Sequence, residues 1–218
     1  KSTATSPAPS PLALPYADSF DTDTLGQQPR YLAQQQGAFE VTGCGDGRGG
    51  RCVTQQAPVK PIEWDGDAMP YTIGGSLDWT DYTVSADAQI RQPGSVQLIA
   101  RAGTQHRFTP ARINEYYLQV SDTGAWSIVR NSADTSASGN SSAAAPVTLA
   151  SGTVAALGTG SWHHLALTAD GSRLTAAIDG VTVGSATDST FSAGMVGLGT
   201  SGYQTDRFDN LKVTPVAP

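Results

Sequence analysis

Residues Tyr82-Thr-Val-Ser-Ala-Asp-Ala-Gln-Ile90 alternate apolar and polar side chains, and this two-residue rhythm returns along most of the chain that follows. A strand turns successive side chains to opposite faces, so the rhythm suits a sheet with one buried face and suits no helix. Val96-Gln-Leu-Ile-Ala-Arg101 places Val96, Leu98 and Ala100 on one face and Gln97, Ile99 and Arg101 on the other. Tyr116-Tyr-Leu-Gln-Val120, the turn Asp122-Thr-Gly124 and Trp126-Ser-Ile-Val-Arg130 read as a hairpin. His164-Leu-Ala-Leu-Thr168 and Leu174-Thr-Ala-Ala-Ile178 flank the turn Asp170-Gly-Ser-Arg173. Val181-Thr-Val183, Met195-Val-Gly-Leu198 and Phe208-Asp-Asn-Leu-Lys-Val213 complete the series. No segment keeps a helical period for three turns. Roughly a dozen short strands predict an all-β fold of two antiparallel sheets packed face to face.

The ends read differently. Residues 1–15 form a Ser/Thr/Ala/Pro tract without periodicity, too poor in apolar side chains to bury a core, and are expected to be a linker. One sandwich domain is expected over 16–214, with a short tail at 215–218 and a Ser/Ala/Asn-rich surface excursion between Asn131 and Ala145. The formal net charge of −6 repels phosphate backbones and argues against a nucleic-acid partner. No apolar run is long enough to span a bilayer as a helix. The first residues lack the apolar stretch of a signal peptide, so any signal has been removed or the chain is a fragment. Cys44 and Cys52 are the only cysteines, joined by the polar and flexible Gly-Asp-Gly-Arg-Gly-Gly-Arg. Metal sites need more soft ligands than this, so a disulfide and an oxidising, extracellular setting are expected.

The C-terminal third carries Gly160-Ser-Trp162-His-His-Leu165-Ala-Leu167, Ala177-Ile-Asp-Gly180, Ser192-Ala-Gly-Met-Val-Gly-Leu-Gly199 and Phe208-Asp209-Asn210. This order resembles the laminin-G-like and concanavalin A-like jelly rolls of the lectin/glucanase type. With Tyr16-Ala-Asp-Ser-Phe20, Gln36-Gly-Ala-Phe-Glu40, Pro61-Ile-Glu-Trp64 and Asp78-Trp-Thr-Asp-Tyr-Thr83 included, it resembles the C-terminal lectin-like domain of galactocerebrosidase-type enzymes, glycoside hydrolase family 59. The resemblance implies a non-catalytic, secreted carbohydrate-binding domain that accompanies a catalytic TIM barrel of the same or a cleaved chain. Its expected ligand is a glycan or glycolipid, galactose-containing ones among them. It also implies a structural calcium ion between the first and last strands. That maps onto Asp21 and Asp209, with Asp18 or a backbone carbonyl replacing the acidic residue the family has where Ser19 stands here. Carboxylates and backbone carbonyls are the ligands calcium requires. The Cys44–Cys52 loop departs from the family pattern.

Sugars bind by stacking on aromatic rings and by bonding planar polar groups. Arg101, Tyr117, Gln119 and His164 fall out of phase with the apolar positions of their strands, and Trp126 shares a strand face with Arg130. These five, Arg101, Tyr117, Gln119, Trp126 and His164, are the expected sugar-binding residues, while Trp64, Trp79 and Trp162 read as packing residues. Two further readings compete. One is an architectural domain that buttresses a barrel without binding sugar. The other is a stand-alone polysaccharide lyase or hydrolase. The latter needs paired acid and base groups, yet Glu40, Glu63 and Glu115 lie in different segments and no catalytic residue emerges.

Overall fold

The computed structural model describes residues 12–59, 69–103, 113–132 and 145–217. Trp64, His106 and most of the expected 131–145 excursion lie outside the described residues, as does the greater part of the expected linker. The first strands are β1 (Tyr16–Asp18), β2 (Ala33–Gln36), β3 (Phe39–Gly45), β4 (Arg48–Gln55), β5 (Tyr71–Gly74), β6 (Tyr82–Gln89), β7 (Ser95–Ala102) and β8 (Glu115–Ser121). They are followed by β9 (Ala125–Asn131), β10 (Val147–Thr153), β11 (Trp162–Asp170), β12 (Arg173–Ile178), β13 (Val181–Thr187), β14 (Met195–Thr200) and β15 (Arg207–Pro215). The described residues contain no helix. One sheet has eight strands in the order β13-β12-β11-β6-β15-β4-β3, with β1 added against β15. The other has seven, in the order β10-β9-β8-β7-β14-β5-β2, and every pairing is antiparallel.

The expected alternation holds over most of the strands where it was read. Val96, Leu98 and Ala100 of β7, Leu118 and Val120 of β8, Leu165 and Leu167 of β11 and Leu211 and Val213 of β15 all enter one apolar core between the sheets. Removing such side chains from water is the main stabilising term for a chain of this kind. Both expected boundaries shift. Leu12 and Leu14, inside the stretch expected to be linker, pack on the core, and β15 continues to Pro215, opposite Tyr82. Trp126 also points inward, only 7% exposed, rather than onto a sugar platform. Its ring covers Gly152 on the adjoining β10 and reaches Gly184 on β13 of the opposite sheet, where a Cβ on either glycine would fall under 3.0 Å from ring atoms.

The cysteines are bonded to each other with a Cα–Cα distance of 5.1 Å, inside the usual disulfide span. The segment between them is not a flexible loop. It is the tip of the β3–β4 hairpin, turning at Asp46 and Gly47, both in the left-handed region at φ of 51° and 82°. Two such residues in succession give the turn whose twist matches the strands it joins.

Candidate functional site

The seven-stranded sheet builds a depression on its outer face from three cross-strand rows. Tyr71, Gln97 and Gln119 come into line through Gly199, which pairs with Tyr71 on one side and with Gln97 on the other. Ile99, Tyr117 and Val129 form the next row, and Glu115 faces Asn131 in the last. Gly199 has no side chain to fill the row, and a Cβ there would sit 3.0 Å from the Gln97 Oε1. The result is a cavity of about 340 Å³, lined by those polar groups and by Met69, Ile113, Pro146 and Ser201. Tyr71, Ile73, Ile99, Ala102 and Ile113 form a small apolar cluster beside it, with Tyr117 and Met195 packed against them.

Within this cavity the Gln97 Nε2 donates to the Gln119 Oε1 at 2.9 Å, fixing the two amides edge to edge. The Asn131 Nδ2 donates to the Glu115 Oε1 at 3.2 Å. The Glu115 Oε2 and the Asn131 Oδ1 are buried and accept no hydrogen bond from the described residues. Burial pushes the Glu115 carboxyl up to about 8, against the pull of the Asn131 bond. Burial, then the charge of Glu115, also push the Tyr71 hydroxyl upward. Charge is costly in such a place, so the proton is retained near neutrality.

Of the five expected sugar-binding residues, the structure brings Tyr117 and Gln119 together in this cavity. Arg101 does not join them. The strand register shifts at the end of β7, and Arg101 takes φ of 50°, so the alternation breaks and the side chain turns away from the outer face. It is 1% exposed and bonds Thr80 O at 3.0 Å, Gly171 O at 2.7 Å, Phe191 O at 2.9 Å and the Asp81 carboxylate at 3.0 Å. Arg101 is therefore a brace between three segments. His164 stands on the other sheet, where its Nδ1 is 2.7 Å from the Asp87 Oδ1. Glu115, Asn131, Gln97 and Tyr71 were missed as site residues. The signal for Glu115 was its parity, since 115, 117 and 119 share one face of a strand.

The expected calcium ligands were Asp18, Asp21 and Asp209, and as a set they do not fit the ion. Asp18 accepts from the Tyr16 hydroxyl at 2.9 Å and the Phe20 amide at 2.8 Å. Asp21 accepts from the Arg51 amide at 2.8 Å, and Asp209 is paired with the Arg48 guanidinium at 2.8 Å. Among the described residues one group of three potential ligand side chains converges, Cys44, Cys52 and Asp209, and its sulfurs are already bonded to each other. The positive charge beside Asp209 is supplied by the chain. Arg48 reaches Asp87 at 2.6 Å as well as Asp209, and its guanidinium lies 4.3 Å from the Trp162 ring centroid. Burial works against the Asp87 charge, yet bonds from Asn210, Arg48 and His164 hold its carboxyl below the usual range. Burial raises Asp209, against its bonds to the Asn210 amide and to Arg48.

A family model described as galactocerebrosidase, C-terminal lectin domain, matches residues 34–216. No curated protein matches the sequence. Among solved structures, carbohydrate-binding module CBM66 from Bacillus subtilis superposes with a TM-score of 0.58 at 19% identity, covering 84% of this chain and 94% of that one. A protein of unknown function with a galectin-like fold from Bacillus subtilis gives 0.56 at 13% identity, over 92% and 94%. The β-glucanase of Bacillus licheniformis gives 0.56 at 10% identity, over 93% and 98%. These likenesses establish the jelly-roll fold that lectins and glucanases share.

Proposed function

The chain belongs to the galactocerebrosidase C-terminal lectin domain family, and on that premise we propose that it binds a glycan in the cavity over β7, β8 and β9 as an accessory domain of a secreted galactosidase-type enzyme. One observation carries the reading. The paired Gln97 and Gln119 amides lie in a depression walled by the Tyr71 and Tyr117 rings. Amide pairs match adjacent sugar hydroxyls and rings match C–H faces. The likeness to a carbohydrate-binding module supports it. A galactose-containing glycan or glycolipid is the proposed ligand, and a TIM-barrel catalytic domain of the same or a cleaved chain the proposed partner. The disulfide supports an extracellular setting. Hydrolysis by paired carboxyl groups needs two acids close together, and among the described lining residues Glu115 is the single one.

A glycan array followed by titration calorimetry tests this. Selective binding by the folded chain, weakened at least about tenfold by Tyr117→Ala or Gln119→Ala, is the expected result. A blank array from a sample with a sharp thermal transition would refute it and favour the buttress role.

A further inference from the structure

The glycan site does not end at the paired amides. Beside it on the same outer face lies a second depression of about 490 Å³, lined by Gln119, Ser121, Ser127, Thr148, Ser151 and Thr153 among others. Gln119 is the residue the two depressions share. Resting on the reading of the first cavity as the glycan site, we propose that the two together form one trough for a linear, neutral oligosaccharide crossing the strands from β7 to β10.

Strand register lines the trough up. Gln97 is paired across the strands with Gln119, Gln119 with Ser127 and Ser127 with Ser151, so a single row runs through both depressions. Gly199 carries the same row on to Tyr71 of β5. Neighbouring strands lie about 4.8 Å apart, so the six strands of the row span about 24 Å. That step is close to the advance of one sugar residue along an extended pyranose chain. A glycan laid across the strands therefore meets a new strand at each unit, and roughly four to five units fill the row.

The side chains change character along it. At one end the Tyr71 and Tyr117 rings and the two amides suit the C–H face and hydroxyl edge of one sugar. From β9 outward the row consists of Ser127 and Ser151, short enough to leave room for further units. The Ser127, Thr148, Ser151 and Thr153 hydroxyls have no hydrogen-bond partner among the described residues, nor does the Gln119 Nε2 at the junction. Hydroxyls that both donate and accept match the hydroxyls of a sugar chain. Among the described residues the second depression is lined by no Lys, Arg, His, Asp or Glu. Nothing there pairs with a carboxylate or sulfate, and the net charge of −6 repels a polyanion. A lipid carrying a single sugar would leave this half of the trough empty.

Calorimetry on the full chain with β-1,4-linked galactose oligomers of one to five units, and with the corresponding glucose oligomers, tests the trough. In the series that binds, affinity is expected to rise at least about tenfold from the monosaccharide to the tetrasaccharide and then to level off. An oligogalacturonate of the same length is expected not to bind. Ser127→Lys, which sets a long side chain in the second depression, is expected to flatten the rise with length. Ser151→Lys makes the same test if that variant fails to fold, because lysine is well tolerated on an edge strand such as β10. Affinity that stays flat from one unit to five would overturn the trough and leave the single-sugar cavity standing. So would a gain with length that both lysine variants leave intact, or a preference for the acidic oligomer. No binding by any sugar, on the array or here, would overturn the trough together with the glycan cavity.

Discussion

Replacing Glu115 by Gln should reverse sign in its effect on stability between acid and alkaline pH. The carboxyl is buried, its Oε1 accepts from Asn131 and its Oε2 is equally shut off from solvent, and burial raises it from the ordinary 4.5 to about 8. The folded protein therefore binds this proton more tightly than the unfolded chain does. Between roughly pH 4.5 and pH 8 unfolding releases a proton, so stability falls as pH rises across that window. Below both values the group costs nothing through ionisation, and above about pH 8 the full cost is present. At about 1.4 kcal/mol per pH unit, the rise from 4.5 to about 8 corresponds to on the order of 5 kcal/mol. Gln keeps the shape and removes the ionisation. Urea unfolding of both proteins at about pH 5, 7 and 9 measures the difference. Near pH 5 the variant should be equal or lower in stability by ~1 kcal/mol, the worth of one hydrogen bond. Near pH 9 it should be several kcal/mol more stable. Asp206, which burial raises to about 6, tilts the pH profile the same way at lower pH but is common to both proteins and cancels. A constant difference between variant and wild type from pH 5 to pH 9 would refute the reasoning, because Glu115 would then be ionising as freely when folded as when unfolded.

Three other outcomes are expected. Arg101→Lys should lower stability by about 2–4 kcal/mol in denaturant unfolding, since a single ammonium cannot reach Thr80, Gly171, Phe191 and Asp81 together, and glycan affinity should not change; a lost affinity with unchanged stability would return Arg101 to the sugar site. Reduction of Cys44–Cys52 should cost about 2–3 kcal/mol, the scale for closing so short a loop, read as a lower urea midpoint in reductant. EDTA should leave the melting temperature unchanged, because Arg48 already neutralises Asp209; a fall restored by added calcium would mean that backbone carbonyls complete a site the side chains do not.

The strands from β6 to β9 and from β11 to β15 were legible from the alternation of apolar and polar side chains in the sequence, although β7 is buried on both faces. The β3–β4 hairpin was hidden, since Gly43, Gly45, Gly49 and Gly50 carry no side chain to alternate, and its register comes from backbone pairing and the disulfide. Alternation told that Trp126 and Arg130 share a face, but a lone strand does not say which face meets the other sheet. It misled outright at Arg101, where a one-residue irregularity inverts the pattern. His164 was placed correctly as outward-facing, but strand parity carries no information about which sheet a strand joins. The pairing of Asp209 with a cation of the chain was illegible for a similar reason. Arg48 lies far from Asp209 in the chain, and only the closed hairpin sets it between Asp87 and Asp209.

The packing of Trp126 over Gly152 and Gly184 also constrains how such a chain can vary. Each glycine, taken alone, sits where alanine would be a mild change, but here a methyl group would collide with the indole. Shrinking the indole first opens a void that costs about 3–5 kcal/mol. Either first step therefore passes through a poorly folded ancestor, and the three positions are expected to change together or not at all. A sandwich in which Gly152 or Gly184 has acquired a side chain should carry a smaller residue in place of Trp126. The two edge strands would then be free to move closer together.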